Sequence, residues 1–305
     1  MFKQQVINDL AWLLQSPGLL NNKLAFVMSD AESRSLYQEI EPDLVKWDAT
    51  PLTLPDQITN PRPYVGDYFE NLIAFCLSKR ADVENILHRR VVMEDKRTIG
   101  EFDFLFHHGR LQQSYHWEVA AKFYLYYESD NGVVFYGPNS RDQLSIKANK
   151  MLNQQIKLSQ KNAAEKIIEH YPPPLLPQII LKGYLFYPTQ QWLECIPKIP
   201  DYVSPNHLNG WWTYANKPDI PQHNPESKWL VLNKPFWLAI DTRTGINNPA
   251  LNYSDMQDRV KGHFLCSQTP LYLAEVMQNS RDEQIECSRG FVVPPSWPKS
   301  NCSNG

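Results

Sequence analysis

Two short segments of this 305-residue chain combine apolar runs with charged residues at strand spacing. In Ile99-Gly100-Glu101-Phe102-Asp103-Phe104-Leu105-Phe106 two carboxylates alternate with phenylalanines. In His116-Trp117-Glu118-Val119-Ala120-Ala121-Lys122-Phe123-Tyr124-Leu125 a glutamate and a lysine interrupt an otherwise apolar run. The two-residue period of a strand puts Glu101 and Asp103 on one face of the first segment and Phe102, Phe104 and Phe106 on the other. The same period puts His116, Glu118, Ala120 and Lys122 opposite Trp117, Val119, Ala121 and Phe123. A carboxylate on a strand suited to burial costs free energy unless a cation or a hydrogen-bond network compensates it. Asp103 and Glu118, brought side by side across a hairpin, make a hard, oxygen-rich site of the kind Mg²⁺ or Mn²⁺ takes, with positions left for water and phosphate. Lys122 adds a fixed positive charge or, with a depressed pKa, a proton acceptor. Such parts serve to activate water and to stabilise a phosphorane-like transition state.

Supporting residues surround this trio. Glu70 lies within the apolar helical stretch Tyr68–Leu77 and is a further candidate metal ligand. Glu101, His116 and Gln154 are candidate supporting groups. Lys147, Lys150, Lys157 and Lys161 fall within roughly 80° of one another at about 100° per helical residue, a basic stripe along which a phosphate backbone would run. Each has an ordinary alternative: a solvated lysine face, a structural Glu118–Lys122 ion pair, a surface carboxylate pair. The His107-His108 pair beside Gly109 reads as a hairpin turn, and Trp211-Trp212 as packing.

These residues need particular elements to hold them. Apolar spacing predicts a helix over Tyr68–Leu77, strands over Asn85–Val92, Ile99–Phe106 and Ser114–Tyr127, a helix from an Asn139 or Ser140 cap to about His170, and a strand over Gln178–Tyr187. Earlier, Phe2–Gln15 reads as a helix, and the proline-broken stretch from about Ala31 to Arg62 as short helical pieces and loop. Later, Lys228–Ile240 and Pro270–Met277 read as strands and Asn252–Gly262 as a helix. The fold class is α/β: a mixed, central four-stranded sheet flanked by helices. Four parts follow: an N-terminal helical extension (1–64), an α/β core (65–190), a C-terminal extension packed on the core (191–293) and a flexible tail (294–305).

Composition narrows the classes. A net charge of −3 gives no whole-protein field to recruit nucleic acid, so binding must rest on a local basic patch. Aromatic residues at 12% exclude a disordered chain. Five scattered cysteines form neither a CxxC nor a zinc spacing and fit a reducing, cytoplasmic compartment. No apolar run is long enough to span a membrane. Walker A, dinucleotide-binding glycine, nucleophile-elbow and His-Glu-x-x-His motifs are absent from the sequence.

The element order, with Glu70 on the first helix, Asp103 on the second strand and Glu118…Lys122 on the third, resembles the PD-(D/E)XK (restriction-endonuclease-like) nuclease superfamily over about Val65 to Pro188. Over most of its length the chain also resembles an uncharacterised bacterial family, domain-of-unknown-function family 1853. That likeness is carried by Asp9-Leu10-Ala11-Trp12, the two strand segments, Gly137-Pro138-Asn139 and Asn209-Gly210-Trp211-Trp212. The resemblance implies a restriction-endonuclease-like core and metal-dependent hydrolysis of phosphodiester bonds, with DNA as partner. In that reading Asp103, Glu118 and Glu70 bind Mg²⁺ or Mn²⁺ and Lys122 is catalytic. The sequence departs from the superfamily in one respect: Ala120 stands at the lysine position of Glu-x-Lys, and Lys122 follows two residues later, about 6.6 Å along the strand. That displacement leaves open a second reading, an inactive nucleic-acid-binding or protein-interaction module on the same fold.

Overall fold

The computed structural model describes residues 2–50, 54–130, 132–240, 249–278 and 284–298. Nine strands build one mixed sheet: β1 (Val83–Glu94), β2 (Arg97–His108), β3 (Gln113–Ser129), β4 (Gly132–Tyr136), β5 (Leu175–Pro188), β6 (Leu208–Tyr214), β7 (Lys228–Val231), β8 (Leu271–Gln278) and β9 (Gln284–Val293). Their order is β1-β2-β3-β5-β6-β9-β8-β7, with β4 paired to the end of β3. The pairs β3–β5, β5–β6 and β6–β9 are parallel and the others antiparallel. The expected four-stranded sheet is therefore only its first part, because β6, β9, β8 and β7 continue it beyond β5. The helices are α1 (Gln5–Gln15), α2 (Asp30–Ala49), α3 (Asp56–Thr59), α4 (Val65–Ser78), α5 (Leu144–Asn153), α6 (Glu165–Ile168), α7 (Thr189–Glu194) and α8 (Tyr253–Cys266). Among the described residues, no helix is long and apolar enough to cross a membrane.

Strand alternation on β3 holds as expected. Trp117, Val119, Ala121 and Phe123 enter the main core with α1 and α4, while Ala120, Tyr124 and Tyr126 enter a second core on the other face. On β2 the alternation breaks. Phe104 and Phe106 join the main core, but Phe102 joins Leu105, Val92 and Leu158 in a small separate one. The break coincides with the end of the β2–β3 ladder, which runs from His108↔Gln113 to Phe104↔Trp117.

Three expectations about elements are corrected. Residues 30–49 form one 20-residue helix, not short pieces, despite Pro42 within it. A capping box starts it, with Ser29 Oγ accepting from the Glu32 N–H and Glu32 Oε2 accepting from the Ser29 N–H. Burial of Ile40, Leu44 and Trp47 on one side of it offsets the interruption at Pro42. The single helix expected to run to His170 stops at Asn153, starts from Gln143 rather than Asn139 or Ser140, and gives way to 3₁₀ turns at Gln155–Gln160 and Asn162–Ala164. Ile156 fills the second core and Leu158 the small one by Phe102. Two residues apart on an α-helix point about 200° apart, so one straight helix lying over both cores would waste one of them. Finally, the tail expected from residue 294 is packed as far as Trp297, which is buried and meets Trp212 edge-on at 4.8 Å; residues 299–305 lie outside the described residues.

Close strand approach has a visible requirement at Gly183. It pairs with Lys122 across β3–β5 at φ 140°, and a Cβ there would sit 1.7 Å from the Lys122 carbonyl oxygen.

Candidate functional site

Where β2 leaves β3, a side chain replaces the next rung of the ladder. Asp103 Oδ2 accepts the Val119 N–H at 2.9 Å, which fixes this carboxylate beside β3. Glu118 and its neighbour on the same face, His116, are both fully buried. His116 Nε2 lies 2.9 Å from Glu118 Oε1, Gln155 Nε2 donates to Glu118 Oε2 at 2.7 Å, and Lys147 Nζ donates to Gln155 Oε1 at 3.2 Å. A continuous chain, Lys147–Gln155–Glu118–His116, thus links α5 and the following 3₁₀ turn to the centre of the sheet.

The electrostatics follow from burial. Desolvation, reinforced by the charge of Glu118, raises the Asp103 carboxyl to about 7, against the pull of the Val119 N–H. Desolvation raises Glu118 to about 8, with Lys147 opposing it. His116 is pushed down to about 4 by burial and is neutral at ordinary pH. Burial also lowers the Lys147 ammonium, although Asp103 and Glu118 attract it. Two carboxyls that hold protons near neutrality are short of positive charge, which a hard cation would supply.

Of the residues expected here, Asp103, Glu118 and His116 come together. Glu70 is only partly free. Its Oε2 accepts from Arg89 Nε at 2.7 Å and lies 3.8 Å from His88 Nε2, and these partners hold it below its usual range against burial, which would raise it. The expectation that Glu70 points at the same metal is corrected to that extent, though its charge still bears on both carboxyls. Lys122 lies on the expected face, but its Nζ bonds Asp142 Oδ2 at 2.6 Å, where the Tyr124 hydroxyl also donates at 3.1 Å. It is therefore neither the counter-ion of Glu118 nor joined to the Glu118 chain by a hydrogen bond. Lys147, assigned from sequence to a surface stripe, occupies that place instead. Gln155, not Gln154, reaches Glu118. The signal for Gln155 was the polar Gln154-Gln155 pair between the buried Met151 and Ile156.

The remaining lysines do not share one helix, since Lys157 and Lys161 lie on and after the 3₁₀ turn. They nevertheless meet in one groove of about 710 Å³. Glu101, which is exposed, and Asp103 form its strand side, and Lys150, Lys157, Lys161 and Gln154 its helical side. Gly100 lets the two sides approach, because a Cβ there would meet the Leu158 side chain at 2.9 Å.

Among the described residues, one group brings three metal-ligating atoms within 4.8 Å of one another, and it lies elsewhere: Glu39, Asp82 and His108. Arg80 and Arg110 already engage both of its carboxylates. The donor chemistry of Asp103 and Glu118 fits Mg²⁺ better, being oxygen-only and without a guanidinium on either carboxylate. No curated protein and no solved structure matches the chain. The family model described as domain of unknown function (DUF1853) matches residues 8–293, so the chain belongs to that family.

Proposed function

We propose that this protein is a Mg²⁺-dependent nuclease on a restriction-endonuclease-like core, hydrolysing phosphodiester bonds in DNA. The observation that carries the reading is the pair of the half-buried Asp103 and the buried Glu118, coupled to Lys147, with Asp103 on the strand side of a groove whose other side bears Lys150, Lys157 and Lys161. Asp103 and Glu118 would hold the ion, with Glu70 as an outer carboxylate. Mg²⁺ held there supplies the positive charge that a phosphodiester under attack requires. Gln155 and His116 fix the Glu118 carboxylate, one oxygen each. Lys147, with its ammonium destabilised by burial, is suited to take a proton from the attacking water or to stabilise charge developing on phosphate. Lys150, Lys157 and Lys161 would hold the phosphate backbone along the groove.

A second reading, a binding or protein-interaction module without turnover, is favoured by two pairings: Glu70 with Arg89 and Lys122 with Asp142. Incubation of plasmid, single-stranded and branched DNA with the protein and Mg²⁺ or Mn²⁺ separates the two. Cleavage lost in Asp103→Asn and Lys147→Met supports the nuclease. Binding without cleavage under every metal condition supports the module.

A further inference from the structure

On the face of β3 opposite Glu118, a cavity of about 400 Å³ lies between α1, α2, α4 and the β2–β3 hairpin. Its volume is in the range of small-molecule sites, about 300–1,000 Å³. Leu14 and Ile73 form its aliphatic side, and Phe106, Tyr115 and Trp117 its aromatic side. The rings hold one another, with Phe106 5.1 Å from Tyr115 and 4.8 Å from Trp117. Lining residues that reach solvent, Glu32, Leu111 and Leu176 among them, mark its mouth.

The mouth carries a carboxylate held only by neutral groups. Glu32 Oε2 accepts from the N–H and from the hydroxyl of Ser29, both at 2.7 Å, and its Oε1 accepts from Gln178 Nε2 at 3.2 Å. Gln178 is fixed in turn, because its Oε1 accepts from Trp117 Nε1 at 2.9 Å on the aromatic side. Neutral donors thus take three of the roughly four acceptor positions of the carboxylate and leave its charge unbalanced. The neighbouring cations are engaged elsewhere. Arg80 and Arg110 bond Glu39 and Asp82, and His108 lies 3.6 Å from each of the same two carboxylates. Glu39 follows Glu32 by seven residues on α2, about 10.5 Å along the axis, so those cations gather at the other end of the cavity. Arg34, two residues after Glu32, points about 200° round the helix. Lys182 bonds the Ser16 carbonyl and the Ser33 hydroxyl, and its carboxylate neighbour is Asp30. Burial, and then the charges of Glu32 and Glu39, raise the Tyr115 phenol, so a negative field reaches the aromatic side of the chamber.

We propose that this cavity binds an apolar organic monocation, an ammonium on a hydrocarbon or aromatic body, with the body in the chamber and the ammonium at the mouth against Glu32 and the Tyr115 ring. The body meets aliphatic and aromatic side chains, and the charge, being at the mouth, keeps part of its water and so avoids most of the cost of burial. An anion in the same pose would face Glu32 with no cation beside it. None of the lining residues borders the acid-and-lysine groove, so the proposal stands apart from the nuclease reading.

Three naphthalene probes test each element of the claim by calorimetric or fluorescence titration of the whole chain. 1-Naphthylmethylamine, an alkylammonium at neutral pH, should bind saturably with one site per chain. 1-Naphthylmethanol, nearly the same shape without the charge, should bind about 3- to 10-fold more weakly, the worth of one exposed ion pair with a cation–π contact. 1-Naphthoate should bind more weakly than either. Glu32→Gln keeps the capping box of α2, which takes Gln as well as Glu, and should erase the preference for the amine while leaving the affinity for 1-naphthylmethanol unchanged. High salt should narrow the same preference in the wild type. Leu36 and Ala31 both line the cavity. Leu36→Trp fills it and should remove binding of all three probes, and Ala31→Trp at the mouth should do the same if Leu36→Trp does not fold. Absence of saturable amine binding overturns the proposal. So does an unchanged preference for the amine in Glu32→Gln, equal or tighter binding of 1-naphthylmethanol or 1-naphthoate by the wild type, or unchanged affinity in a folded cavity-filling variant.

Discussion

Asp103→Asn should make the metal-free protein more stable at high pH, the opposite of the usual result of deleting a hydrogen-bonded carboxylate. A folded carboxyl moved from its ordinary 3.8 to about 7 carries an ionisation penalty of roughly 4 kcal/mol once deprotonated. Part of that penalty is mutual repulsion with Glu118 and is shared with it, so about 2 kcal/mol is a fair expectation for one substitution. The sign follows from proton counting. Unfolded, Asp103 releases its proton near its ordinary value, and folded it keeps it to about 7, so stability falls as pH rises between those limits and is level above them. Glu118 behaves alike up to about 8. His116 acts oppositely from about 4 to its ordinary 6.5, partly masking the trend there. Asparagine keeps an acceptor for the Val119 N–H without the charge. Thermal unfolding at about pH 4 and about pH 8 should therefore show Asp103→Asn gaining on the wild type by several degrees at the higher pH only. Added MgCl₂ should reverse the ranking, raising the wild type by about 2.7 kcal/mol at a hundredfold excess over Kd and the variant by much less. Equal destabilisation of Asp103→Asn at both pH values would refute the buried-charge argument. An equal gain from Mg²⁺ in both proteins would refute the metal assignment.

Four further outcomes follow from particular side chains. Lys147→Met should cut DNA cleavage by about 10²-fold or more while Lys122→Met leaves most of it, measured as initial rates at saturating metal; the reverse ranking would restore Lys122 as the catalytic lysine. Replacing Lys150, Lys157 and Lys161 together by Gln should weaken DNA binding at low salt and flatten the slope of log K against log salt by about 0.9 for each phosphate no longer neutralised, read by fluorescence anisotropy. Gly183→Ala should destabilise the fold by several kcal/mol or prevent it, because the added methyl has only 1.7 Å to the Lys122 carbonyl; soluble protein with an unchanged denaturation midpoint would contradict the register. Trp297→Ala should cost about 3–5 kcal/mol in chemical denaturation, whereas a free tail would cost nothing.

The strand period by itself determined the faces of β3, since alternation is a property of the local backbone and each face met a core of its own. It likewise determined that Asp103 and Glu118 were misplaced charges, because their neighbours are apolar whatever the fold. The pattern could not reveal the break on β2, where Asp103 spans to Val119 only because the two strands part. Nor could it reveal the division of residues 144–164 between two cores, since helical periodicity registers one buried face and this segment has two. That division carries Lys147 inward and Gln155 onto Glu118, while Asp142 draws Lys122 away. Strands β6 and β9 left no periodic signal for a related reason: β6 is short and buried between two parallel neighbours, and β9 is buried on both faces from Ser288 to Val293, so neither has there the alternation that marks a half-exposed strand. Residue type and spacing thus settled which groups had to be neutralised, and the long-range packing of α5 and its 3₁₀ turn decided which lysine stands beside them.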